Sequence, residues 1–213
     1  VIMTAAAQVA GVPNLTILVG GDPAPALRLL VVATGLLPLT VVPVFLASGA
    51  LGDPLAVVPA ALRLAGLIAV AAVVGFSIRA FVAPHPTRER VAAIDGASAL
   101  VMTVLVIGLM EAVGTAIRVD PRAAGASAVA AFLANFGFQI VGGLVCRRLG
   151  WRRAAPAIGI ATGNRNFVLL LTALPAAVTD PIMLFVGCYQ LPMYLTPLLL
   201  AGFHRWAGRE RDG

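Results

Sequence analysis

Apolar residues along this chain come in blocks close to the length that crosses a lipid bilayer, and not in the stripes of amphipathic surface helices. Seven such segments can be drawn, at residues 1–20, 27–47, 57–82, 91–117, 123–145, 154–174 and 182–206. Backbone polar groups in hydrocarbon must be satisfied within each segment, so we expect the segments to be α-helices. The pattern predicts an all-α integral membrane protein.

The amino-acid composition excludes a soluble domain. Hydrophobic residues make up 60% of the chain and charged residues 11%, whereas soluble domains carry about 25% charged residues. Too few polar side chains remain to cover a surface in water. Because the chain begins at Val1 inside an apolar segment, without an initiator methionine, we expect an N-terminal portion to precede it.

The arginines near the segment ends predict how the chain is oriented in the membrane. Consecutive loops alternate between the two faces, and eleven arginines fall on one face against three on the other. The larger set is Arg28, Arg79, Arg88, Arg90, Arg147, Arg148, Arg152, Arg153, Arg205, Arg209 and Arg211, and the smaller is Arg63, Arg118 and Arg122. By the positive-inside rule the larger set is cytoplasmic, and so is the tail at residues 207–213. This distribution over loops and tail gives little support to nucleic-acid binding.

Two distant segments share one spacing of leucine and proline residues. The positions are Leu37, Pro38, Pro43 and Leu46 in the first, and Leu191, Pro192, Pro197 and Leu200 in the second. Each copy follows an Asp-Pro loop, and each loop follows an apolar segment that glycine and asparagine interrupt. Coincidence between proline-containing membrane helices is the alternative. Three features recurring in the same order favour an internal repeat.

The second copy lies five segments after the first, and this odd offset means that the two copies enter the membrane from opposite sides. Inverted repeats of this kind occur in secondary transporters, whose interrupted helices place substrate and ion sites near the bilayer midplane. Freed amide groups at such a break favour an anion, and freed carbonyls favour a cation. The candidate substrate or ion ligands at the two interruptions are Gly11, Asn14, Gly163, Arg165 and Asn166.

In these features the chain resembles the bile acid:sodium symporter family, and the resemblance rests on the order and spacing of several short motifs. The matching residues are Pro13-Asn14 followed by Gly20-Gly21-Asp22, Thr34 with Pro38, Gly163 with Asn166, and Gln190-Leu191-Pro192. The stretch Ala93-Ile94-Asp95-Gly96 is similar to a bacterial subgroup of uncertain substrate. The whole chain would correspond to the family's fourth to tenth spans.

The resemblance implies a fold of two inverted five-helix repeats, with the first three spans absent here. Two broken helices would cross in a core domain that packs beside a panel domain. On this mapping residues 1–47 end the first repeat within the core, residues 57–117 are panel-type spans, and residues 123–206 are core spans with the second broken helix. The resemblance also implies sodium-driven transport of organic anions, here across a bacterial inner membrane.

The chain departs from the family pattern where the resemblance implies sodium ligands. Ala161 stands in place of a glutamate before the glycine of the second crossover, and Arg165 in place of a glutamine before the asparagine. Pro13 and Leu30 stand in place of serines, while Asn14 and Thr34 are kept. The resemblance therefore predicts altered or absent sodium coupling, and no other cofactor or metal.

Arg165 has three interpretations, because a charge at membrane depth is costly unless it is paired or wetted. Its guanidinium could occupy the sodium position as a fixed cation. It could instead bind an anionic substrate bidentately, as arginine does with carboxylates. The third interpretation is a structural arginine that satisfies the carbonyls of a broken helix or reaches to the membrane surface.

Four further polar residues within the apolar segments are candidates for helix packing or for lining a cavity. Asn135 and Gln139 are four residues apart on one predicted helix face, where amides often hold membrane helices together. Helix packing is the favoured interpretation of this pair, and cavity lining is the alternative. Tyr189 and Gln190 precede a predicted break at Pro192. The resemblance places this helix in the core, so the two residues either line the substrate cavity or lie in the helix without contacting it.

These patterns favour a secondary transporter of a small organic anion, working by alternating access within the bilayer. The alternative is a non-transporting sensor or scaffold that retains the symporter fold, since function does not follow from fold. An intramembrane enzyme is not expected. The sequence has no His-Glu-x-x-His or Gly-x-Ser-x-Gly motif, and neither histidine falls deep within a predicted span.

Overall fold

The computed structural model describes residues 6–49, 51, 53–82 and 87–210, which are helical apart from turns and one isolated β-bridge. The helices are α1 (Val12–Leu18), α2 (Ala24–Ser48), α3 (Val57–Ser77), α4 (Arg88–Val119), α5 (Pro121–Arg148), α6 (Ala155–Gly163), α7 (Phe167–Leu171), α8 (Ala176–Thr179), α9 (Met183–Leu199) and α10 (Ala201–Gly208). A π-helical turn at Ile78–Val82 extends α3, and short 3₁₀ turns precede α3, α6 and α9. The predicted all-α class is confirmed.

Five helical segments in the described part of the chain are long and apolar enough to span a membrane. They are Ala24–Ala47, Pro54–Phe81, Arg88–Val119, Pro121–Arg148 and Ala176–Leu199. The first four each agree to within a few residues with a predicted apolar segment. The last begins at Ala176, earlier than the segment predicted at residues 182–206, and that segment divides at Leu200 into α9 and α10. The structure thus confirms an integral membrane protein by helix length and composition.

The described residues begin within a non-helical stretch, which lies earlier in the chain than the first predicted interruption at Gly11–Asn14. Residues 7–9 are not helical, and α1 then runs through Pro13 and Asn14. Proline fits the first turn of a helix because the amide it lacks would have no partner there. The glycine and proline at residues 11–13 therefore mark the start of a helix and do not break one.

The predicted break at Pro192 is also wrong, because α9 continues through both Pro192 and Pro197. Proline inside a helix removes one backbone hydrogen bond. Here the carbonyls of Cys188 and Met193 lose their helical donors. The Thr196 hydroxyl donates to a different carbonyl, that of Pro192, at 3.0 Å. Neighbouring helices and hydroxyl side chains commonly make prolines tolerable in membrane helices. The helix changes direction only later, at Leu200.

The second interruption lies between α6 and α7, at residues 164–166. Helix α6 is short and buries most of its residues against α5, α1, α2 and α10. A separate, larger cluster of buried apolar side chains joins α2, α3, α7 and α9, with Phe45, Leu64 and Tyr189 among its largest members. The interrupted segment therefore lies inside the helical bundle.

Candidate functional site

The two interrupted segments meet each other inside the bundle. The Val9 amide donates to the Asn164 carbonyl at 2.9 Å, and the Asn166 amide donates to the Ala7 carbonyl at 2.7 Å. Gln8 and Arg165 form the antiparallel β-bridge between these bonds. Backbone groups that no longer have helical partners are satisfied in this way, as a bilayer interior requires. Residues 7–9 and 164–166 are called the paired segments below.

The side chain of Arg165 bonds to residues close to the two paired segments. Its Nε donates to the Thr162 carbonyl and its Nη1 to the Ala6 carbonyl, each at 2.9 Å. The side chain is half-buried. Within the described ranges no carboxylate forms an ion pair with Arg165, and the ion pair found there joins Arg153 to Asp22. The geometry is that of a structural arginine on broken-helix carbonyls, and it is compatible with the fixed-cation interpretation.

Asn135 and Gln139 belong to a hydrogen-bond network that links α5 to the second interruption. The Asn135 Nδ2 donates to the Gly163 carbonyl and to the Asn164 Oδ1, both at 3.0 Å. The Gln139 Nε2 donates to the Asn135 Oδ1 at 2.6 Å and to the Thr196 Oγ1 at 2.8 Å. The side chains of Asn135, Gln139 and Thr196 are fully buried. This geometry is that of helix packing, the favoured interpretation of the pair.

Two further side chains extend this polar network. His204 of α10 is fully buried, and its Nε2 lies 3.0 Å from the Gln139 Oε1. The Tyr189 hydroxyl donates to the Gly163 carbonyl, and its ring packs edge-on against Phe167 with the centroids 4.7 Å apart. A continuous chain of hydrogen bonds thus runs from the paired segments to α10.

Gly163 allows α6 to approach α5 closely. A β-carbon at this position would collide with the Asn135 carbonyl oxygen and with the Gln139 side chain. Gly163 is therefore required by packing, and its carbonyl is the acceptor for both Asn135 and Tyr189. The structure places Gly163 at the contact between α5 and α6, and not next to a cavity.

Two neighbouring cavities lie between the paired segments and α4. One has a volume of about 270 Å³ and is lined by Arg165, Asn166 and Gln190 together with apolar residues of α4, α7 and α9. The other has a volume of about 420 Å³, and Gly11 and Asn14 are among its lining residues. Val9, Met102, Met193 and Tyr194 border both. The two interruptions therefore face one continuous region.

The predicted site residues fall into three groups. Gly11, Asn14, Arg165, Asn166 and Gln190 border the cavities. Gly163 and Tyr189 line neither cavity. Thr34 is half-buried on α2 and lines neither cavity. Ala161 belongs to an apolar cluster with Val12 and Ile160.

Sequence reasoning missed Gln8, Asn164 and His204 as members of the site. The Gln8 Nε2 donates to the Ala26 carbonyl at 2.5 Å, which ties the first paired segment to α2. A lone glutamine in an apolar segment was a signal that could have identified Gln8. His204 had been expected at the membrane surface, and only the packing of α10 against α5 and α6 buries it.

The residues that the structure describes contain no group of three or more histidine, cysteine, aspartate and glutamate side chains that could hold a metal ion. Sodium is bound mainly by carbonyl, hydroxyl and carboxylate oxygens, so this finding leaves sodium as a transported ion untested. Comparison of the chain with models of protein families, with curated proteins and with solved structures gives no match. The resemblance to the bile acid:sodium symporters therefore stays a prediction.

Proposed function

We propose that this chain forms part of a secondary transporter that moves a small organic anion across the membrane by alternating access. The observation that carries the proposal is the meeting of two non-helical backbone segments beside a cavity, one of them the interruption between α6 and α7, with Arg165 hydrogen-bonded across the meeting point. Discontinuous helices of this kind bind substrates and ions in transporters. Packing alone gives no reason to interrupt a helix inside the bundle and to pair its backbone with a second non-helical segment.

The chemistry of the cavity favours an anion. A guanidinium has five N–H donors, and two backbone carbonyls accept from Arg165, through Nε and Nη1. Donors therefore remain for a ligand in the adjoining cavity, where Asn166 and Gln190 add amide groups. The other walls are largely apolar, which suits the carbon skeleton of an organic acid.

The repeated order of elements supports an inverted repeat. In each half a paired segment leads into a short helix, then a turn with an Asp-Pro pair, and then a long helix with two prolines at the same spacing. The first long helix is α2 and the second is α9. Alternating access in such repeats comes from rocking of a core against a panel around the fixed site.

We propose that transport does not require sodium. In this proposal the Arg165 guanidinium donates hydrogen bonds to the carbonyls of Ala6 and Thr162, and it supplies the positive charge that a bound cation would otherwise bring. Ala161, where the family resemblance implies a carboxylate, is buried among apolar side chains. The same residues are also consistent with the alternative, a non-transporting scaffold, because a scaffold that had lost transport would also lack an ion site.

The test is uptake into proteoliposomes of two labelled probes, pyruvate as a small carboxylate and taurocholate as a bile acid. We expect uptake of at least one probe above that of protein-free liposomes, at equal rates with sodium or with N-methylglucamine outside. Uptake that needs an inward sodium gradient would contradict sodium independence. Absence of uptake for both probes, with correctly folded protein, would favour the non-transporting scaffold.

A further inference from the structure

A basic pocket lies away from the paired segments, where α5 ends near the last turn of α10. Arg147 joins the two helices, because its Nη1 donates to the Trp206 carbonyl at 2.8 Å and its guanidinium carbon lies 4.3 Å from the Trp206 ring centroid. These bonds commit Arg147 to holding α10 in place. The neighbouring arginines are not used in this way.

The pocket has a volume of about 590 Å³ and forms between the turn after α5 and the residues after α10. Gly150, Trp151, Arg152, Arg153, Ala154 and Glu210 line it. Gly150 has a φ of 81°, which only glycine adopts readily, and this allows the chain to turn back from α5 into the 3₁₀ turn at Arg152–Ala154.

The charges around this pocket are strongly unbalanced. Among the described residues, those at this end of the molecule include Arg148, Arg152, Arg153, Arg205 and Arg209, against the carboxylates of Asp22 and Glu210. Asp22 is already paired with Arg153 at 3.3 Å. Within the part of the chain that the structure describes, the Arg152 Nη1 is shielded from solvent and has no hydrogen-bond partner. A partly desolvated cation without a partner is stabilised by an anion on its remaining donors.

We expect the pocket to lie near the level of the lipid headgroups, from its position at the end of a candidate membrane-spanning helix. Helix α5 is one of the membrane-spanning candidates, and it ends at Arg148, two residues before the pocket begins. Trp151 and Trp206 are 59% and 44% exposed at the same end. Exposed tryptophans and arginines at a helix end are typical of the bilayer interface.

We propose that this pocket binds the phosphate headgroup of an anionic phospholipid, with Arg152 and Arg153 as its main ligands and Trp151 resting in the interface beside it. The excess of arginines around the pocket and its position at the end of a candidate membrane-spanning helix support this ligand, since basic pockets at the membrane surface recognise anionic headgroups. Arginine suits phosphate because its planar donors form paired hydrogen bonds. The proposal does not depend on whether the protein transports anions.

The test is native mass spectrometry of the detergent-purified protein, titrated with phosphatidylglycerol or with phosphatidylcholine of the same acyl chains. We expect phosphatidylglycerol to bind in preference. The double variant Arg152→Gln/Arg153→Gln should weaken that binding roughly 30-fold, since each arginine near a membrane surface contributes about a 5-fold change. Arg122→Gln is the matched control, because it removes an exposed arginine at the opposite end of α5.

Three results would overturn the proposal. Equal binding of the two lipids would show no headgroup selection. An equal loss in Arg122→Gln would show a general effect of net charge. Stabilisation of the protein against heat by inorganic phosphate as strongly as by phosphatidylglycerol would show that a free ion, and not a lipid, is recognised.

Discussion

Replacing Gly163 with alanine is expected to cost about 3 kcal/mol of folding free energy, since overpacking a tight interface typically costs 1–3 kcal/mol and this one also carries a buried polar network. The added methyl group would meet the Asn135 carbonyl and the Gln139 side chain, so α6 would have to move away from α5. That movement would stretch the bonds from Asn135 and Tyr189 to the Gly163 carbonyl. The measurement is thermal unfolding in detergent, with the yield of monodisperse protein.

Gly137→Ala is the control for this change. Gly137 lies on α5, two residues from both Asn135 and Gln139, and a β-carbon there would have no atom within 4 Å. Alanine is a better helix former than glycine by about 1 kcal/mol, so this variant should be as stable as the original or slightly more so. Equal destabilisation by both substitutions would mean that the contact of α6 with α5 is not as close as described.

Arg165→Gln is expected to have the second large effect, lowering stability by about 2 kcal/mol and uptake at least about tenfold. Hydrogen bonds from charged donors contribute roughly 1.5–3 kcal/mol each when buried, and half-exposure of the side chain reduces this. A glutamine is shorter and cannot reach both the Ala6 and Thr162 carbonyls. The measurement pairs thermal unfolding with uptake of whichever probe the original protein transports.

Two further measurements distinguish the interpretations of Arg165: uptake by Arg165→Lys, and stabilisation of Arg165→Gln by sodium. Lysine keeps the charge but not the planar set of donors, so it should retain more uptake than glutamine if a fixed cation is what matters. If the guanidinium stands in for a cation, sodium chloride should stabilise Arg165→Gln more than choline chloride does, and should not stabilise the original protein. Unchanged uptake and stability in Arg165→Gln would assign Arg165 no role in function.

The membrane-spanning helices could be predicted from the sequence because apolar content over a bilayer length determines them with little help from tertiary contacts. The short elements could not. Whether Pro13 breaks a helix or begins one depends on the residues before it, and these are held by pairing with Asn164 and Asn166 far along the chain. Likewise, a proline within an apolar segment does not by itself show whether the helix breaks there, and α9 continues through Pro192.

The polar site was predicted in part. Arg165 and Asn166 stand out because polar residues in an apolar segment are costly unless they are used. His204 could not be recognised, since its partner Gln139 is 65 residues away and becomes its neighbour only through the packing of α10. The contacts of Tyr189 could not be predicted for the same reason, because its hydroxyl donates to the Gly163 carbonyl, 26 residues away in the chain.

Alternating access is tested most directly by the accessibility of Asn14, which is exposed and lines the larger cavity. A cysteine would be placed there in a background of Cys146→Ala and Cys188→Ala, both native thiols being buried. A membrane-impermeant maleimide would then be applied separately to each side of sealed vesicles. Arg122→Cys and Arg148→Cys, at opposite ends of α5, are the controls and should each react from one side only.

The transporter proposal predicts that Asn14→Cys is modified from both sides of the membrane, because the cavity opens to each side in turn. Addition of the transported probe should change the balance between the two labelling rates. Modification from one side only, with both controls reacting as expected, would contradict alternating access and leave the chain as a membrane scaffold.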